Sequence, residues 1–172
     1  MSNTTPTLKI ALYSDDASVR ETVSKALGRR LAADLDEHEI TEFATGPALR
    51  MVVDAGKNFD LYILDGESVP EGGMGIAKQL KDEVFNCGVV VVLVGRASDA
   101  WLAGWSRAEG VVSHPLDPFT LAATVADQVV NQPETQKTGF DLVPVPTDWS
   151  SPVYDQSFTR SEEHTSELQS PM

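Results

Sequence analysis

The sequence predicts an α/β fold in which a five-stranded parallel sheet is flanked by five helices. Three observations carry this. Between residues 8 and 131, β-type apolar runs alternate with helix-type periodic segments. Such alternation argues for a parallel sheet wrapped by helices on both faces. Residues 89–94 read VVVVLV, and an unbroken apolar run of this length marks a strand covered on both sides. Asp15 and Asp16 follow the first run and Asp65 follows the third, and the carboxyl ends of strands are where such sheets build their sites.

Each element has a local reason. Residues 8–13 (LKIALY) are short and apolar, and Ser14, Asp15 and Asp16 break the pattern. Asp16 is a candidate N-cap. Val19, Val23 and Leu27, with Ala26 beside them, form one helical face that Gly28 ends. Residues 39–43 alternate as a second strand. Residues 45–55, with Leu49, Met51, Val52 and Val53, predict a short helix closed by Gly56. Residues 61–64 form a third strand ending on Asp65-Gly66, and residues 75–83 a third helix with Ile76 and Leu80 inward. After the 89–94 strand come a short helix over 99–106 and a short strand at Val111-Val112. Asp117-Pro118 starts the last helix as a cap followed by proline, and Leu121, Val125 and Val129 give it a buried face.

Composition bounds the function. The chain has 172 residues and 18.6 kDa, enough for one domain or one domain plus a tail. Hydrophobic residues are 41% and charged residues 23%, a globular balance. Asp and Glu number 26 against 13 Lys and Arg, a net charge of -13. Phosphate backbones and anionic membranes repel such a chain, so direct nucleic-acid or membrane binding is not expected. Cys87 is the sole cysteine, which excludes an intramolecular disulfide and reads as a buried structural thiol. The start, MSNTTPTLK, lacks a signal-peptide pattern. No apolar stretch approaches the ~20 residues of a membrane span. A cytoplasmic protein is expected.

The domain boundaries follow. Residues 1–6 are expected to be a disordered N-terminus and 7–131 the folded domain. Residues 132–159 hold Pro133, Pro144, Pro146 and Pro152 and read as a proline-rich tail or linker. Residues 160–170 (RSEEHTSELQS) resemble the translation of a sequencing-library adapter. Residues 160–172 are therefore set aside as an artefact, expected to be disordered. The natural C-terminus, and any output domain beyond Thr159, then stay open.

Asp15, Asp16 and Asp65 converge on one crevice if the first and third strands are neighbours. Like charges in a small volume are tolerable with a hard divalent cation, and Mg²⁺ favours carboxylates with retained waters. A metal there lets one carboxylate attack a phosphoryl group by neutralising the incoming anion. Taken singly, Asp16 reads as a helix cap and Asp65-Gly66 as a turn. Taken together at the ends of the first and third strands, they read as a site.

The ordered set resembles the receiver domain of two-component response regulators over about residues 7–131. The set is Asp15-Asp16, Leu64-Asp65, Pro70 with Gly75 opening the next helix, the 89–94 strand and His114-Pro115-Leu116. The resemblance implies the strand order 2-1-3-4-5 of the flavodoxin-like receiver fold. It implies Asp65 as phosphoacceptor and Asp15 and Asp16 as the Mg²⁺-binding pair, the metal shell being completed by Asp65 and the Glu67 backbone carbonyl. It implies a sensor histidine kinase or other phosphodonor as partner, with no enzymatic activity beyond autophosphorylation. The acyl phosphate then changes affinity for a downstream partner protein. Homodimerisation occurs in the family and is not derivable from this sequence. The alternative is a phosphate-independent pseudo-receiver that binds proteins through the same fold. A small Mg²⁺-dependent phosphatase is a third reading, weakened by a poor match at Glu67 and the lack of a cap domain.

Three response positions depart from the family. Val94 stands where the family has a Thr or Ser hydroxyl, and keeps the shape without the donor. His114 stands where it has Lys. A histidine is shorter and only partly charged near neutral pH, yet can donate one hydrogen bond to a phosphoryl group; equally, it reads as a loop residue before Pro115. Val111 stands where it has the aromatic switch residue. Trp101 and Trp105 lie four apart on one face of the fourth helix, the partner-facing helix in receivers, and at least one is expected to be exposed. His38 reads as a solvated loop residue. Gly72, Gly73 and Gly75 read as a flexible loop beside Asp65, not a phosphate-cradling motif.

Overall fold

Each strand is an apolar run that stops at a polar break. β1 (Leu8–Tyr13), β2 (His38–Phe43), β3 (Leu61–Asp65), β4 (Val89–Val94) and β5 (Gly110–Ser113) form one sheet in the order β2-β1-β3-β4-β5. All four pairings are parallel. The computed structural model describes residues 7–31, 35 and 37–131. The expectations for residues 1–6, 132–159 and 160–172 fall outside the described residues.

Between the strands run α1 (Ala17–Leu27), α2 (Gly46–Asp54), α3 (Gly73–Glu83), α4 (Ala100–Ser106) and α5 (Pro118–Val130). Caps set three of the starts. Side chains of Asp16, Thr45 and Asp117 accept from the backbone N–H groups of Ser18, Ala48 and Thr120, satisfying donors that a helix start leaves free. Gly28 ends α1 at φ 57°, a conformation a side chain disfavours.

The sheet separates two apolar layers. On one face, Ile10, Leu12, Ile63 and Leu93 pack with Val23 and Leu27 of α1 and Leu121 and Val125 of α5. On the other, Tyr13, Leu64, Val92 and Val94 pack with Leu49 and Val53 of α2 and Ile76 and Leu80 of α3. Every residue of β3 and β4 is buried, as expected for central strands. Burying one such Val or Leu side chain contributes about 1.5–3 kcal/mol. Among the described residues, no helix is long and apolar enough to cross a membrane.

Four expectations change. Gly73 and Gly75 lie inside α3, and Gly72 is its N-cap residue. Close packing explains the first of them, since a Cβ on Gly73 would come within 2.6–2.7 Å of the Leu64 and Asp65 backbone. Glycine here lets α3 press on the end of β3. The fourth helix begins as a 3₁₀ turn, Ala97–Asp99, and Asp99 makes no side-chain cap. β5 extends to four residues, with Ser113 paired to Val94. His38 opens β2 rather than lying in a loop, and burial pushes its pKa below the ordinary value.

Candidate functional site

Parallel pairing brings the strand ends to one edge. Tyr13 lies opposite Leu64, Asp65 opposite Leu93 and Val94 opposite Ser113. The residues that follow these positions wall an open crevice of about 540 Å³ lined by Asp15, Asp16, Ser18, Val19, Asp65, Glu67, Gly95 and His114. A smaller groove of about 370 Å³ lies between α2 and α3, around Arg50, Leu80 and Phe85, away from the strand ends. The crevice gathers all five residues singled out from the sequence for phosphate and metal.

Asp65 is the buried one, at 3% exposure. Buried carboxylates need donors. The Ser14 hydroxyl donates to Asp65 Oδ2 at 2.7 Å, and the Glu67 N–H donates to Asp65 Oδ1 at 3.0 Å. Ser14 is fully buried, and its Oγ accepts from the Asp16 N–H at 3.1 Å. The backbone of the acidic pair thus orients the hydroxyl that holds the acceptor. Ser68, also buried, accepts the Asp15 N–H at 3.1 Å. No ion pair reaches Asp65 among the described residues.

Two of the other carboxylates, those of Asp16 and Glu67, are bonded elsewhere. Asp16 Oδ1 takes both the N–H and the hydroxyl of Ser18 at 2.7 Å. These bonds, the hydroxyl first, hold the Asp16 pKa below the usual carboxylate value. Glu67 Oε1 crosses the crevice and accepts the Gly95 N–H at 3.1 Å. The carboxylates therefore share one crevice but are not drawn into one cluster. Among the described residues, no group of three His, Cys, Asp or Glu side chains is gathered to hold a metal ion. The donor set itself is all hard oxygen, the type that suits Mg²⁺.

The remaining sequence candidates fall in two places. His114 lines the crevice, and its N–H donates to the Val94 carbonyl at 2.8 Å. Val94 is fully buried in the α2–α3 layer, with Val111 packed against the same cluster. Trp101 and Trp105 lie outside the crevice on α4, exposed by 71% and 56%, in keeping with the expectation that at least one is exposed. Lys78 sits 5.9 Å from the Trp105 ring centroid, within cation–π range. Sequence reasoning missed Ser14, Ser68 and the Glu67–Gly95 bond. The one signal for Ser14 is a hydroxyl directly between an apolar strand and two acids.

No family model matches the sequence. The chain is 52% identical over 125 residues to an uncharacterised response regulatory protein of Mycobacterium tuberculosis, found alike in two strains. That match covers 73% of this chain and 93% of the relative. A chemotaxis response regulator of Vibrio cholerae superposes with a TM-score of 0.59 at 21% identity, over 72% of this chain and 99% of that one. A receiver domain from Methanospirillum hungatei gives 0.60 at 13% identity, over 77% and 98%. A beryllofluoride-activated receiver domain gives 0.58 at 21% identity, over 73% and 99%. At these identities the structural matches speak to the fold, and the M. tuberculosis relative speaks to the family.

Proposed function

Since the chain belongs to the response regulators of two-component signalling, as a receiver domain, we propose that it accepts a phosphoryl group on Asp65 and relays it as a change in partner affinity. The observation that carries this is the placement of Asp65. It is a buried carboxylate at a central strand end, fixed by two donors, at the wall of the single crevice that also holds Asp15, Asp16, Glu67 and His114.

In the step proposed, a carboxylate oxygen of Asp65 attacks phosphorus. The new P–O bond forms as the donor's P–N bond breaks, and the electron pair stays on the donor imidazole. A small acyl phosphate serves equally, with a carboxylate leaving. Ser14 and the Glu67 N–H restrain the carboxylate while it reacts, a positioning contribution. His114 offers an imidazole N–H to a phosphoryl oxygen. Mg²⁺, held by Asp15, Asp16, Asp65 and the Glu67 carbonyl, supplies charge neutralisation when bound. Residues 7–131 act as the receiver module in the cytoplasm. The donor is a sensor histidine kinase or a small phosphodonor, and the exposed Trp101 and Trp105 form the surface that a partner protein reads.

Intact mass after incubation with acetyl phosphate and Mg²⁺ tests the reading. The expected result is one added phosphoryl group, absent in Asp65→Asn. No addition to the parent chain, or addition that survives Asp65→Asn, contradicts it.

A further inference from the structure

Within the crevice, one donor is already taken by the protein's own anion. The Gly95 N–H follows the end of β4 and donates to Glu67 Oε1 at 3.1 Å. Glu67 follows Asp65 by two residues, and its own N–H holds Asp65 Oδ1. One residue therefore ties the acceptor carboxylate with its backbone and closes across to the opposite wall with its side chain.

This closure bears on any anion that enters. A phosphoryl group arriving at Asp65 brings oxygens that need donors, in a crevice whose walls include four carboxylates. Ser18 has both its N–H and its hydroxyl on Asp16. Ser14 is buried with its hydroxyl on Asp65. The Gly95 N–H is thus a wall donor suited to an anion, and the Glu67 carboxylate holds it. Two anions cannot share that N–H at full strength, and the negative charge of Glu67 further repels the newcomer.

We propose that Glu67 is an internal competitor for the phosphoryl position, so that its carboxylate must leave the Gly95 N–H before Asp65 can be modified. Glu67 thereby sets how readily Asp65 takes up phosphate. This rests on Asp65 being the acceptor. The geometry offers a second, independent handle. A Cβ added at Gly95 would stand 2.8–2.9 Å from the Glu67 carboxylate atoms. That contact is with the far end of a flexible side chain. Gly95→Ala therefore evicts the carboxylate while leaving the N–H in place.

The test compares the parent chain, Glu67→Ala, Glu67→Gln and Gly95→Ala. The first reading is the initial rate of phosphoryl uptake from acetyl phosphate with Mg²⁺, by intact mass. The second is the Gly95 amide position in a ¹⁵N–¹H spectrum, taken without phosphodonor. Glu67→Ala and Gly95→Ala are expected to raise the rate about three- to tenfold, the range of one modest hydrogen bond, and to shift the Gly95 amide. Glu67→Gln keeps an acceptor without charge and is expected to fall between. Unchanged or slower uptake in both Glu67→Ala and Gly95→Ala overturns the proposal while leaving Asp65 as acceptor. An unmoved Gly95 amide in Glu67→Ala overturns it as well. If neither the parent nor any variant takes up phosphate, the acceptor reading itself fails, and this proposal with it.

Discussion

Asp65 is a buried carboxylate, and Ser14 is the side chain that donates a hydrogen bond to it. Its hydroxyl reaches Oδ2 at 2.7 Å while the Asp16 N–H fixes its other side. Removing the hydroxyl leaves a buried acceptor short of a partner, a cost of about 1–3 kcal/mol. Ser14→Ala is therefore expected to lower unfolding stability by that amount in urea, with Ser14→Thr recovering part of it. A loss below about 0.5 kcal/mol would show that the bond contributes little. Residue chemistry of this kind was only partly legible. Asp15, Asp16, Asp65 and His114 stand out by type and order, and all four line the crevice. Ser14 and the side-chain role of Glu67 did not stand out. A serine gives no periodic signal, and the Glu67–Gly95 bond joins two loops 28 positions apart.

At the scale of elements, helix starts are where charge and fold meet. Asp16 caps α1 and Asp117 caps α5, and α1 and α5 cover the same face of the sheet. Hydrogen bonds from Ser18 and from Thr120 hold these two carboxyls below the ordinary value of 3.8. A lowered folded-state pKa adds stability that is full above the unfolded value and is lost as pH falls through the folded one. Acid below about pH 4 should thus loosen both helix starts, with Asp82, Glu71 and Glu21 losing their ion pairs in the same range. The double variant Asp16→Asn, Asp117→Asn is expected to show a shallower fall of Tm between pH 5 and 3 than the parent. An equal or steeper fall would contradict the cap assignment. Element placement was legible because caps, glycines and apolar periodicity agree locally. The start of α3 was not. Gly72 and Gly73 carry a loop signal, yet Gly73 is helical because only a residue without Cβ fits against Leu64 and Asp65. The 3₁₀ turn before α4 was likewise hidden, since Ser98 and Asp99 are cap-type residues, yet Asp99 makes no side-chain cap.

For the whole molecule, the order β2-β1-β3-β4-β5 decides where chemistry can occur. It sets β1 beside β3 and β3 beside β4, so loops far apart in sequence share one edge. The sequence implied this order through a family resemblance, and the parallel registers bear it out. What a sequence could not supply is the hydrogen bonding in the crevice, where Ser14 and the Glu67 N–H donate to Asp65, Ser18 donates to Asp16 and the Gly95 N–H donates to Glu67. The molecule is a receiver domain in which Asp15, Asp16 and Asp65 line one crevice, with Asp65 held by the Ser14 hydroxyl and the Glu67 N–H. Locating the phosphoryl group tests Asp65 as the proposed phosphoacceptor. The chain is phosphorylated with acetyl phosphate and Mg²⁺, reduced with borohydride, digested and mapped by mass. An acyl phosphate on aspartate is reduced to homoserine, so phosphorylation of Asp65 is expected to leave homoserine at position 65. Aspartate unchanged at 65, or homoserine at another aspartate position, would contradict Asp65 as the phosphoacceptor.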